Sequence, residues 1–116
     1  MPISERDGVI WRVPPKPYGI SYRSIIPRKG ECENLFSTLC VSASHVAHGS
    51  IRMEPVFMAL SQSAAVAAGL AIDSKVSVQD VAYPALHEKL LAAKQIVDLS
   101  QVPAPKPKAA PKNSTP

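Results

Sequence analysis

Glu54-Pro55-Val56-Phe57-Met58-Ala59-Leu60-Ser61-Gln62-Ser63-Ala64-Ala65-Val66-Ala67-Ala68-Gly69-Leu70-Ala71-Ile72 is the stretch whose reading decides the fold. Proline near a first turn costs no hydrogen bond, and a carboxylate beside it complements the helix dipole, so Glu54-Pro55 reads as a helix start. From Val56 to Ile72 there is no charge, and Asp73-Ser74-Lys75 ends the run. Small residues recur every four positions: Ser61, Ala65 and Gly69 form one stripe, Ala64 and Ala68 a second beside it. Such smooth faces let another backbone or a flat ligand come close. Similar stripes pack membrane helices. The run of about 17 residues, broken by Gln62 and two serines, is at or below the length needed to span. The expectation is a buried central helix.

Working outward from it, Tyr18, Ile20 and Tyr22 alternate with Gly19, Ser21 and Arg23, the period of a strand. Pro27-Arg28-Lys29-Gly30 ends that segment with turn chemistry. Asn34 to Val41 is rich in apolar and β-forming residues and reads as a second strand, buried on both faces. Ser42 to Ser50 is polar and small, a loop without helical period. Beyond the long helix, Ser77 caps a short turn with Asp80 three residues on, a capping-box variant. Pro84 opens a last helix to about Lys94, with Leu86, Leu90, Leu91 and Ala93 on its apolar face. The expected class is therefore α+β: short β-strands, a long apolar helix and a shorter C-terminal helix. Residues 1–17 read as an irregular N-terminal segment and 18–99 as the folded body. Residues 100–116, dominated by Pro, Lys and Ala, read as a disordered tail.

Charge excludes one class of function. All nine acidic residues and ten of the thirteen Lys and Arg lie before position 100, so the body carries +1 and the tail the other +3. A basic balance of that origin makes no nucleic-acid groove, and aromatics are too sparse for a stacking platform. Cys32 and Cys40, eight positions apart, have neither metal nor redox spacing and read as buried thiols. His45 and His48 lack an acidic partner at ligand spacing, so no metal site is expected. No apolar core of a signal peptide follows Met1; taken as a genuine start, it implies a cytoplasmic product.

The segment Ser42 to Ala68, S-A-S-H-V-A-H-G-S-I-R-M-E-P-V-F-M-A-L-S-Q-S-A-A-V-A-A, resembles the C-terminal signature of the FAD-dependent oxidoreductase family, whose members are often mislabelled xanthan lyases. Flanking matches are Pro17 to Pro27, Glu31 to Leu35 and Val78 to Val81, so the likeness spans about residues 10 to 99. I-R-M-E-P-V-F-M is its most specific part. The resemblance implies an incomplete piece of an FAD/NAD(P)-binding Rossmann-type enzyme. In that family the chain's end returns as strand, loop and helix to complete the flavin site. By position, Ser42, Ser44 and His45 would approach the pyrophosphate or ribityl, and Arg52, Met53, Glu54 and Pro55 the flavin ring. Two departures stand out: Ser61 occupies a position where the family often has glycine, and no G-x-G-x-x-G is present to hold ADP.

The function implied is that of a flavin-completing segment for hydride transfer, inactive alone. It would bind FAD only with a nucleotide-binding half, such as a separate Rossmann-type subunit. Plainer readings stand beside it. Arg52 and Glu54 can be solvated charges, His45 a polar loop residue or a flavin partner, and Met53 and Met58 core fillers. Tyr22 and Arg23 are placed in sheet packing. A membrane-associated or protein-interaction module built on the apolar helix is the alternative function.

Overall fold

The computed structural model describes residues 14–103. Three α-helices organise them: α1 (His45–Ile51), α2 (Glu54–Ser74) and α3 (Tyr83–Ala92). Single 3-10 turns stand at Tyr22–Ile25, Val78–Asp80 and Leu99–Gln101. Among the described residues no β-strand forms, so the fold is helical and the expected α+β class is corrected.

The reason lies in what strands need. A strand's backbone groups are satisfied by a neighbouring edge, and here none runs alongside for more than one bond. Ser37 donates its N–H to Ile25 O and Ser42 its N–H to Ser24 O, both at 2.8 Å. One side advances five residues while the other moves one, which is no ladder register. Between those two bonds the chain bulges, the Ser37 hydroxyl donating to Cys40 O at 3.2 Å. Leu35 and Leu39 consequently face solvent, while Phe36 and Val41 turn inward. The Tyr18 to Tyr22 alternation is not a strand's: no pairing accompanies it, and Tyr18 is exposed. Ile20 and Tyr22 pack on the core, and Ser21 then caps a tight turn by accepting from the Arg23 N–H at 3.3 Å.

α2 is the organising element. Pro55 lies in its first turn, and its C-cap Lys75 adopts the left-handed conformation (φ 53°), donating its N–H to Ala71 O and Ile72 O. That closure satisfies carbonyls that the helix end would otherwise leave free. Ala64, Ala67 and Ala71 are buried, and these small residues let neighbouring segments approach closely. On one flank, Ile25, Val41, Ile51 and Ala64 form a cluster with Phe57 and Leu60 around it. On the other, Leu86 and Leu90 of α3 close on Ala67. After α3, Gln95 returns to Ala59 and Ser63 in the first half of α2, so α2 and α3 form an antiparallel hairpin. Burying a leucine such as Leu86 stabilises by roughly 1.5–3 kcal/mol. Leu91 and Ala93, expected on the apolar face of α3, are exposed.

The rest of α2 is bare. Met58 is 72% and Ile72 75% exposed, and Ser61, Gln62, Ala65 and Gly69 between them are exposed too. The helix is therefore central in sequence and only half covered in space. At 21 residues it is also longer than its uncharged run, and it is long and apolar enough to cross a membrane by length and composition.

A second junction ties the N-terminal turn to the Val78–Asp80 turn. The Gln79 amide donates to Pro27 O and Cys32 O, Val78 N–H to Glu33 O, and Lys29 pairs with Asp80 at 2.7 Å. Ser77 does not cap the backbone; its hydroxyl donates to the Asp80 carboxylate at 2.8 Å instead. The pairing with Lys29 and then the Ser77 hydroxyl hold the Asp80 carboxyl below its ordinary pKa. The thiols are not buried: Cys32 is half-buried and Cys40 exposed. Of the irregular N-terminal segment, residues 1–13 lie outside the described residues, and residues 14–17 carry no regular structure. Of the tail expected at 100–116, Ser100 and Gln101 belong to the Leu99–Gln101 turn, and residues 104–116 lie outside the described residues.

Candidate flavin-facing corner

The turn from α1 into α2 is built by local chemistry. Ser44 caps α1, its hydroxyl oxygen accepting from the Ala47 N–H at 3.3 Å and its carbonyl from the His48 N–H at 2.8 Å. The span from His45 to Ile51, expected as a loop, is thus a two-turn helix. A cap and one buried anchor, Ile51, hold it against the core. Ser50 bonds back to Ala47 O at 2.8 Å and meets the Tyr18 hydroxyl, fastening the N-terminal stretch to α1. Arg52 ends α1 by donating its N–H to His48 O at 2.9 Å. The Met53 N–H then goes to Ile51 O at 2.6 Å, and α2 begins.

At the α2 start, donors are few. Pro55 has no N–H, and the Val56 and Phe57 N–H groups both go to Met53 O, at 2.9 and 3.1 Å. No side chain caps this end. The Glu54 N–H is the peptide donor left without a partner among the described residues. The helix start therefore offers one free N–H and the positive end of a dipole, equivalent to about half a charge. Arg52 adds a full positive charge beside it, and the Glu54 carboxylate partly cancels both.

All seven residues singled out from the sequence are exposed: Ser42, Ser44, His45, Arg52, Met53, Glu54 and Pro55. They are not gathered at one point. Ser42, Ser44 and His45 stand at the beginning of α1, not at the end of a strand. Arg52 to Pro55 stand beyond its other end. Seven helical residues at 1.5 Å each separate the groups by about 10 Å. The corner is an open, ridged surface, with a polar patch at either end of a short helix and apolar Met53 beside the second.

His45 and His48 share α1, the first exposed and the second half-buried. Among the described residues no group of three His, Cys, Asp or Glu side chains could hold a metal ion. Sequence reasoning passed over one polar pair: His87 meets Asp98 at 3.2 Å with Tyr83 packed beside the imidazole. The i, i+4 spacing of Tyr83 and His87 on α3 was available as a signal; the arrival of Asp98 from beyond the helix was not.

No curated protein and no solved structure matches the chain at a significant level. A family model does: that of the FAD dependent oxidoreductases matches residues 3–90, three-quarters of the chain, and includes the whole corner just described. The chain belongs to the FAD dependent oxidoreductase family.

Proposed function

We propose that this chain supplies the flavin-facing end of an FAD-dependent oxidoreductase whose nucleotide-binding, Rossmann-type part is carried by other polypeptide. The observation that carries this reading is the openness of the Ser42–Pro55 corner together with the uncovered face of α2. A corner sealed inside a self-sufficient core would have argued against it. FAD, when bound, would accept a hydride from the substrate. The residues of this chain orient and stabilise. The Glu54 N–H and the α2 dipole favour negative charge placed at the helix start, and Arg52 reinforces them. Met53 offers an apolar contact, and Ser42, Ser44 and His45, about 10 Å away, offer polar contacts suited to the ribityl or pyrophosphate. The sequence contains no G-x-G-x-x-G turn, the motif that holds ADP in a Rossmann-type fold.

The test is flavin retention. Purified full-length chain is expected to be colourless and to hold FAD only when mixed with a G-x-G-x-x-G-bearing partner of the same family. A yellow monomer retaining one FAD per chain would overturn the split. One observation favours a second reading: α2 meets the length and composition of a membrane span, and only 17% of its most apolar window is buried. A membrane-associated module would partition into the detergent phase on cloud-point separation, whereas the flavin-completing chain would stay in the aqueous phase.

A further inference from the structure

Along the uncovered face of α2, Glu54, Met58, Ser61, Ala65, Gly69 and Ile72 are all exposed. They follow one another three or four positions apart, the spacing that keeps side chains on one side of a helix. Lys75, three positions further, is the exposed C-cap. About Ala65 the order is matched end to end. Ser61 and Gly69 stand four positions either side of it, and Met58 and Ile72 seven. Opposite charges mark the two extremities, Glu54 eleven positions before and Lys75 ten after. Met58 is 72% and Ile72 75% exposed, and no charge lies between Glu54 and Asp73. Thr38 bounds the face on one side, its hydroxyl 2.8 Å from that of Ser61.

A surface with that order fits a second copy of itself turned end for end. In a two-fold pair, residue i meets j and j meets i. With the axis at Ala65, Met58 stands level with Ile72 of the other copy and Ser61 with its Gly69. Each bulky side chain then meets another, while the small residues between them let the helices come close. Glu54 lies within about 1.5 Å, one residue's rise, of the height of the other copy's Lys75. The two helix dipoles run in opposite senses, so each positive end lies beside a negative one. A parallel pair would instead set Glu54 against Glu54 and Lys75 against Lys75. We infer that the free chain pairs with a second copy of itself through α2, antiparallel and centred on Ala65. One helix face about 32 Å long is less than a permanent interface occupies, so the pair exchanges. The pairing does not rest on the flavin reading, and a flavin-bearing polypeptide that covered α2 would displace it.

Sedimentation of the full-length chain over a rising concentration series should show a reversible monomer–dimer equilibrium with no larger species. Ala65→Glu, at an exposed position, sets two carboxylates together on the axis and should weaken the pair roughly tenfold or more. Cross-linking reads the orientation. In chains whose own thiols are removed by Cys32→Ser and Cys40→Ser, Ala65→Cys should join to its own copy under mild air oxidation. Met58→Cys should not, since its two copies stand about 21 Å apart along the axis. Mixed with the Ile72→Cys chain, it should join to that one. Should Ala65→Glu lose its helix content, the cross-linking pattern decides alone. Cross-linking at Met58 as fast as at Ala65, open-ended association, or a monomer at every concentration would overturn the proposal. A monomer that still retains FAD beside a G-x-G-x-x-G-bearing partner would overturn the pairing and leave the flavin reading standing.

Discussion

Tyr22 shows how one side chain joins parts of the chain that sequence distance keeps apart. Its ring meets Phe36 edge-on, with centroids 6.1 Å apart, and its hydroxyl donates to Val78 O at 2.7 Å, 56 residues away. Burial pushes its pKa up to about 12 from an ordinary 10.0. A phenol whose folded pKa is raised stays neutral while the unfolded chain begins to ionise. Its contribution is therefore intact below pH 10 and is lost between pH 10 and about 12. Tyr22→Phe keeps the ring and removes the donor, leaving Val78 O unpaired. A loss of about 1 kcal/mol is expected at neutral pH, together with a shallower decline in stability above pH 10. Urea titrations of both proteins at pH 7 and at several alkaline values check each part. An unchanged alkaline slope would show that Tyr22 is not the group responsible. Little of this was legible beforehand. The alternation around Tyr22 read as a strand with Tyr22 in sheet packing, and no strand forms there. The partner carbonyl and the turn that presents the hydroxyl come from segments that no local pattern connects.

At the scale of elements, α2 was the legible one. Proline in the first turn, glutamate ahead of it and an uninterrupted run of small and apolar residues are all local signals, and they fixed its start at Glu54. Its end came two residues later than the apolar run because Asp73 and Ser74 still fit a helical turn before Lys75 reverses the chain. α1 escaped notice because its seven residues include Gly49 and two histidines; only the Ser44 cap betrays it. The strands failed for the opposite reason. β-forming composition was present, but a strand also needs an edge, which composition cannot supply. The bare face of α2 carries its own prediction at Gly69. A methyl group there would meet nothing within 4 Å, and glycine within a helix costs about 0.5–1 kcal/mol relative to alanine. Gly69→Ala should therefore stabilise the isolated chain by up to about 1 kcal/mol, read as a higher denaturation midpoint at unchanged slope. Should the Ser61–Ala65–Gly69 stripe lie against a partner's backbone in the assembled enzyme, the same methyl would weaken that association. One substitution then separates the intrinsic helix from the docked one.

For the whole molecule, the balance of covered and uncovered apolar surface decides behaviour in solution. The described core rests on two small clusters around α2, whereas Leu39, Met53, Met58, Ile72, Ile96 and Leu99 are each more than half exposed. Single exposed apolar side chains are ordinary, but Met58 and Ile72 stand on one bare face of a long helix with Ala65 midway between them. Such a patch marks a surface that a partner covers, and on a free chain it recruits apolar dyes and other copies. Replacing both residues with glutamine, in the double variant Met58→Gln and Ile72→Gln, should change stability by less than about 0.5 kcal/mol, because neither side chain is packed. The same variant should bind markedly less anilinonaphthalene sulfonate and stay monomeric at higher concentration. A matched pair of dye titrations and sedimentation runs tests this. A large loss of stability would mean that the two side chains are packed in solution, and the open helix face would then have to be abandoned. Retained stability with diminished dye binding would locate the unpartnered surface on α2, the element whose first turn forms the Arg52–Pro55 side of the corner.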